Sequence, residues 1–235
     1  MNKIIYIALG FLISAAACRD ADDDDVFSSD EVNAVDHSAL SNTKTELELE
    51  QFATWVSDKE NNLTKNKTIS DINYQLAYLP KEYMAYTELK QEKNLTQERF
   101  EEVKKNYTGM TYFKFRIETK SGSGELLKYK LSSGQQYNER IDYMSFRMQE
   151  DIILVQGKDT LYPGMYHFER IYDIAPFATV MMAFDNKKFN PDGEFTIVFN
   201  DHLFHKGYIK YYYRTKQLID LPNISGVWPY IKEQN

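Results

Sequence analysis

Apolar positions in the first half of the chain fall mostly at helical spacing, and in the second half at every other residue. Leu49, Phe52, Ala53 and Val56 stand at i, i+3, i+4 and i+7, with Trp55 on the border of that face, which predicts an amphipathic helix. Ahead of them, Thr43-Lys44-Thr45-Glu46 has the form of a capping box, Thr43 satisfying an orphan N–H while Glu46 reaches back. Glu46, Glu48 and Glu50 complement the positive end of such a helix. The polar stretch Asn61 to Lys67 reads as a loop. Ile72, Tyr74, Leu76 and Tyr78 then alternate with Asp71, Asn73, Gln75 and Ala77, the pattern of a strand. Pro80 suits the first turn of a short helix ending near Lys90. A further helix is expected from Thr96, with Phe100, Val103 and Tyr107 on one face and Glu98, Glu101, Glu102, Lys104 and Lys105 largely elsewhere.

From Met110 the period changes to two. Phe113, Phe115 and Ile117 alternate with Lys114, Arg116 and Glu118. Ser121-Gly122-Ser123-Gly124 reads as a turn, and Leu127, Tyr129 and Leu131 as the returning strand of a hairpin. Tyr137, Ile141 and Met144 allow one short helix. Asp151 to Gln156 is a short apolar strand, Gly157-Lys158-Asp159 a turn, and Thr160 to Tyr162 the start of its partner. Pro163-Gly164 fits the centre of a type II turn, where Gly takes positive φ. The almost wholly apolar run Ile174 to Phe184 predicts a strand buried on both faces. Asn190-Pro191-Asp192-Gly193 turns the chain, and Phe195 to Phe199 and Tyr208 to Tyr213 complete the strands. The fold class expected is α+β, with N-terminal helices followed by a mainly antiparallel β-sheet.

The chain has 235 residues, 28 basic and 35 acidic side chains, and a formal net charge of −7. That acidity is unevenly placed. Seven acids fall before residue 32 beside the bases Lys3 and Arg19, leaving 28 acids and 26 bases in residues 32–235. A near-neutral domain of mixed sign argues against the clustered positive charge of a nucleic-acid footprint. The aromatic load of 18 Tyr, 14 Phe and 2 Trp supplies a sizeable core.

The first 25 residues carry the sharpest signal. Lys3 gives a positive start, Ile4 to Ile13 an apolar run of ten, and Ser14-Ala15-Ala16-Ala17 a small-residue cleavage region. Ten residues are half of the roughly 20 needed to span a bilayer, so the segment reads as a processed targeting signal. Cys18, the only cysteine, follows at once. Ala15-Ala16-Ala17-Cys18 resembles the bacterial lipobox, with Ala15 where that family more often has Leu. The resemblance implies that Cys18 receives a diacylglyceryl group and becomes the mature N-terminus. Two or three acyl chains, at about 0.8 kcal/mol per buried CH₂, would then anchor the protein stably. With Cys18 lipidated, no thiol remains to brace the fold.

Arg19 is followed by Asp20, Asp22, Asp23, Asp24, Asp25, Asp30 and Glu31. Like charges self-repel and stay extended, so residues 19–31 make a spacer of at most roughly 45 Å. An acidic block directly after a lipidated cysteine resembles the export signal of surface-exposed lipoproteins of the Bacteroidetes phylum, with Asp22, Asp23, Asp24 and Asp25 as the block. The resemblance implies an outer-membrane protein displayed on the cell surface; a periplasm-facing anchor is the alternative. The organisation expected is a signal peptide over residues 1–17, a lipidated acidic tether over 18–40 and one globular α+β domain over 41–235.

Catalytic signatures are sparse. The sequence has no Gly-x-Ser-x-Gly elbow and no Walker loop or dinucleotide fingerprint, and one cysteine excludes cysteine metal sites. His202 and His205, with Asp201 beside them and His167 and Glu169 elsewhere, could ligate one ion if i and i+3 lay on a helix; placed between two strands, with Phe204 intervening and no His-Glu-x-x-His, they read as surface or turn residues. Asp185, Asn190, Asp192 and Glu194 make an oxygen-rich loop, but Lys188 stands where a calcium loop wants an acid. No metal or cofactor is therefore expected. Tyr208-Ile209-Lys210-Tyr211-Tyr212-Tyr213-Arg214 is more suggestive. As a strand it puts Tyr208, Lys210, Tyr212 and Arg214 on one face, flat aromatics beside cations, suited to stacking on a glycan or meeting a protein partner; a plain solvated sheet face is the other reading. Asn62-Leu63-Thr64, Asn66-Lys67-Thr68, Asn94-Leu95-Thr96, Asn106-Tyr107-Thr108 and Asn223-Ile224-Ser225 match a eukaryotic glycosylation pattern that a bacterial lipobox makes irrelevant. Asp159-Thr160-Leu161 resembles the short O-glycosylation motif of exported Bacteroidetes proteins.

The function expected is a membrane-anchored lipoprotein with a non-catalytic binding or envelope-assembly role, its partner a glycan or an envelope protein. A lipid-anchored hydrolase using carboxylates, or an inhibitor or immunity lipoprotein, are the alternatives.

Overall fold

The computed structural model describes residues 46–170, 175–214, 218 and 220–225. The signal peptide, Cys18, Asp22 to Asp25, the tether, Thr43 and Ile174 lie outside the described residues. The elements in chain order are β1 (Glu46–Leu47), α1 (Leu49–Ser57), β2 (Thr64–Ile69), β3 (Ile72–Leu79), α2 (Lys81–Leu89), α3 (Gln97–Asn106), β4 (Met110–Thr119), α4 (Gly134–Asp142), β5 (Ile152–Gln156), β6 (Asp159–Leu161), β7 (Met165–Glu169), β8 (Phe177–Asp185), β9 (Phe195–Asp201), β10 (Gly207–Tyr213) and β11 (Asn223–Ile224). Two antiparallel sheets, ordered β10-β9-β5-β6 and β2-β3-β4-β8-β7, carry the fold, and β1 pairs in parallel with β11. The architecture is mixed α+β. The helices do not simply precede the strands, because β2 and β3 separate α1 from α2 and α4 follows β4. Among the described residues no helix is long and apolar enough to cross a membrane.

The sheets pack face to face through the alternate residues of their strands. Phe113 of β4 meets Phe195 and Tyr213 of the other sheet at 6.0 and 5.4 Å between ring centroids. Phe115 meets Phe199 and Tyr211 at 5.1 and 6.2 Å. Most of these contacts are edge-on, the arrangement the ring quadrupole favours. Tyrosine hydroxyls tie the layers together: Tyr211 donates to the Tyr74 carbonyl (3.2 Å) and Tyr213 to the Leu76 carbonyl (3.1 Å). At one end of the five-stranded sheet, Ala77, Leu79, Tyr112 and Ala183 are covered by Tyr83 and Met84 of α2. Ala85 and Leu89 of α2 pack with Phe100 and Val103 of α3 and with Leu49 of α1. Phe52 and Val56 of α1 bury Leu63.

The predicted apolar faces are buried as the spacing requires: Leu49, Phe52, Ala53 and Val56 in α1, Phe100 and Val103 in α3. Thr96 caps α3, its Oγ1 accepting the Arg99 N–H at 3.2 Å. Removing that acceptor orphans a helix N–H, so Thr96→Ala should lower stability by about 1 kcal/mol, read as a shifted urea midpoint at unchanged slope.

Several expectations are corrected. Helix α1 starts at Leu49, not in the Thr43 region, because Glu46 and Leu47 are held in β1 by β11; Gln51 Oε1 reaches back to the Glu48 N–H at 3.1 Å. The stretch read as a loop up to Lys67 contains β2, an edge strand whose polar side chains bond across to β3, Gln75 to Asn66 at 2.9 Å and Thr68 to Asn73 at 2.8 Å. Leu127, Tyr129 and Leu131 form no hairpin strand. Both edges of β4 are taken by β3 and β8, and Leu126–Lys128 is instead a 3-10 turn burying Leu126 and Leu127. Pro163-Gly164 is not a type II turn, since Gly164 lies outside the left-handed region. Its N–H donates to the Ala183 carbonyl at 2.8 Å, and a Cβ there would lie 3.3 Å from Met110 Cε. This glycine serves close packing, and the bend it makes leads into β7, a strand the alternation did not reveal.

Candidate functional site

Strand β10 is the outer strand of the four-stranded sheet, so one side of its backbone and one face of its side chains are unpaired within that sheet. Period-two alternation sends Ile209, Tyr211 and Tyr213 into the core, where each is fully buried. Tyr208, Lys210, Tyr212 and Arg214 point the other way, and all four are exposed. Tyr208 is 71% and Tyr212 44% accessible, unusual for large aromatic side chains. The Arg214 guanidinium lies 5.8 Å from the Tyr212 ring centroid, a cation–π distance. The Tyr212 hydroxyl donates to Glu194, and that bond to a carboxylate raises its pKa.

Register extends this face across the sheet. Tyr208, Lys210 and Tyr212 stand opposite Asn200, Val198 and Thr196 of β9. Val198 and Thr196 in turn oppose Ile153 and Val155 of β5, and Val155 opposes Thr160 of β6. Directly paired residues share a face. The surface therefore runs from a Tyr–Lys–Tyr row on the outer strand, over an aliphatic centre, to exposed Thr160. Four strands at about 4.8 Å spacing make it roughly 14 Å wide.

The other predicted positions are not brought together into a site. His202 and His205 lie in a turn between β9 and β10, not on a helix, with His205 in the left-handed region at φ 56°. The turn is organised by Asp201, whose Oδ1 accepts the Leu203 and Phe204 N–H groups at 3.0 Å each. His202 Nε2 lies 2.6 Å from Asn200 Nδ2 and 3.4 Å from Asp151 Oδ1. His167 and Glu169 sit on β7, in the other sheet. In the acidic loop, Asp185 Oδ1 accepts the Lys187 N–H (3.0 Å) and Asn190 Oδ1 the Asp192 N–H (3.1 Å). These oxygens face the loop's own amides, the geometry of Asx turns. Among the described residues no three His, Cys, Asp or Glu side chains converge on a metal position.

One feature escaped the sequence. A groove of about 840 Å³ lies between α3, the start of β4, the loop around Asn186 and Asp192, and the segment around Leu218 and Leu221–Ile224. Its wall is formed by buried Leu79, Phe100 and Leu218. Its rim carries Gln97, Glu101, Lys104, Thr108, Asn186 and Asn223. Glu101 and Lys104 are paired at 2.5 Å. No linear motif marks this groove because its walls come from four distant stretches of chain.

Comparison of the chain with family models, curated proteins and solved structures returns no match. The functional reading therefore rests on the chemistry of these surfaces.

Proposed function

We propose that this protein is a lipid-anchored lipoprotein of the outer membrane, displayed on the cell surface, whose domain has a non-catalytic role in holding an envelope partner protein. The observation that carries the anchor is the placement of the single cysteine, Cys18, directly after Ala15-Ala16-Ala17 and directly before the acidic run. The binding role is supported by the outward face of β10. Exposed aromatics and arginine are enriched at protein interfaces, and Tyr208, Lys210, Tyr212 and Arg214 form an exposed row beside buried Val198 and half-buried Ile153.

The anchor and the display are tested separately. Cys18→Ala should move the protein from the membrane to the soluble fraction, and continued tight sedimentation with membranes would sink the lipoprotein reading. Protease added to intact cells should digest the wild-type domain. Replacing Asp22 to Asp25 by Asn should abolish that digestion while leaving the protein in the membrane fraction. A photo-crosslinking amino acid at position 208 should yield one discrete adduct on intact cells, lost with Lys210→Glu; no adduct from any position on this face would remove its binding role.

A further inference from the structure

We propose that the groove beside α3 is a binding site for a neutral oligosaccharide, separate from the face of β10. At about 840 Å³ it falls within the roughly 300–1,000 Å³ typical of small-molecule sites, and is larger than one sugar ring needs. Its chemistry narrows the ligand. Among the described residues the lining holds two cations, Lys81 and Lys104, and three anions, Glu82, Glu101 and Asp192. Glu101 and Lys104 already neutralise each other, and the Lys104 ammonium also lies 5.8 Å from the Phe100 ring centroid. A described lining one charge on the acidic side of neutral favours a neutral ligand over a phosphate-rich or strongly acidic one.

Polar groups that both donate and accept are fixed in the groove. Asn186 Oδ1 accepts the Thr111 hydroxyl at 2.7 Å and its Nδ2 donates to the Thr108 carbonyl at 3.1 Å. Those two bonds lock the amide while leaving it a second N–H and a second carbonyl lone pair. Thr111 itself is buried, so the pair is preorganised. Exposed Gln97 and Asn223 add amides to the lining, beside the apolar Phe100, Pro222 and Ile224. A sugar matches this pairing, with hydroxyls that act as donor and acceptor along its edges and C–H groups on its ring faces.

A peptide fits less well. Strand addition needs an open edge, and β11 is only two residues long with one edge already taken by β1. An amphipathic helix needs a continuous apolar trough, whereas here apolar residues such as Phe100, Met110 and Leu221 alternate with Gln97, Glu101, Asn186 and Asn223 around the lining.

The test uses the full-length protein in detergent, titrated in separate arms with neutral hexose oligomers, with uronic-acid and phosphorylated oligomers, and with a mixture of unstructured octapeptides. Saturable binding of a neutral oligomer is expected. Gln97→Trp, made at an exposed position on the rim, should fill the mouth and weaken that binding tenfold or more. Asn223→Ala should weaken it severalfold and serves where the tryptophan variant fails to fold. Tyr208→Ala should leave it unchanged, which separates this site from the partner face. Binding to no neutral oligomer, preference for the charged oligomers or the peptides, or full affinity in a folded Gln97→Trp protein would each overturn the proposal.

Discussion

Asp201→Ala should lower the melting temperature by roughly 8–16 °C, corresponding to about 4 kcal/mol at a few degrees per kcal/mol for a domain of this size. The carboxylate is 2% accessible and is the hub of the β9–β10 turn. Its Oδ1 accepts the Leu203 and Phe204 N–H groups at 3.0 Å, and its Oδ2 accepts the Tyr74 hydroxyl at 2.6 Å and the Lys206 N–H at 3.2 Å. Truncation orphans four donors at once, and each buried donor left unpaired costs about 1–3 kcal/mol. Water entering the space at the turn offsets part of that sum, which keeps the expected loss near 4 kcal/mol. Tyr74→Phe should cost less, about 1–2 kcal/mol, because Oδ2 keeps the Lys206 amide. The double variant should show a clear coupling energy, the sign of one shared network. Additive losses, or a shift of only one or two degrees for Asp201→Ala, would show that the turn is held by something else.

Asp201 also marks where sequence reading succeeds and where it stops. The alternation through Tyr208–Tyr213 is legible because one face of β10 is buried and the other is exposed. In β10 the charged Lys210 and Arg214 share the register of Tyr208 and Tyr212, which marks the outward face from the sequence alone. What could not be read is any position whose environment is set by a partner distant in sequence. Asp201 looks like a surface acid beside two histidines, yet Tyr74, 127 residues away, buries it. Arg140 follows the polar pair Asn138-Glu139. In the fold its Nη1 donates to the Leu127 and Tyr129 carbonyls at 3.0 and 2.7 Å while its guanidinium lies 5.1 Å from the Phe204 ring centroid. Strand β2 was missed for a related reason. An edge strand satisfies its polar side chains across one neighbour and needs no apolar alternation.

The same logic separates the two candidate surfaces. The β10 face is made by a single strand and its register neighbours, so a period-two rule found it. The groove needs α3, the Asn186 loop and the segment ending at Ile224 to meet. That meeting is fixed where β1 pairs with β11 and Ile224 packs with the α1 to α3 clusters. The β1–β11 pairing thus steadies the segment of Asn223 and Ile224 that lines the groove, a relation no local pattern encodes.

Raising the pH through the tyrosine range should unfold the domain well before its backbone is chemically damaged. Tyr74, Tyr143, Tyr211 and Tyr213 are buried, and burial pushes each phenol well above the ordinary value; in Tyr74 and Tyr143 a hydrogen bond donated to Asp201 or Asp151 adds to it. The folded pKa values are raised, so the stabilising difference is fully present below about pH 10, where both states hold their protons. Above that, the unfolded chain releases phenolic protons that the folded chain retains, and stability falls with pH until the folded values are reached. Each group costs about 1.4 kcal/mol at one unit above its unfolded pKa, so four together remove roughly 5–6 kcal/mol near pH 11. That is comparable to the whole stability of an ordinary domain, about 5–15 kcal/mol. Half-buried Tyr78 and Tyr166, also raised by burial, act in the same direction. Melting temperature should be flat from about pH 8 to about 9.5 and then drop steeply. At fixed temperature the absorbance of these ionised phenols and the loss of the sheet signal in circular dichroism should coincide in one transition. Ionisation of every phenol near pH 10 with the sheet signal intact would mean that water reaches these hydroxyls between the sheets, and that the aromatic layer does not close the core as described.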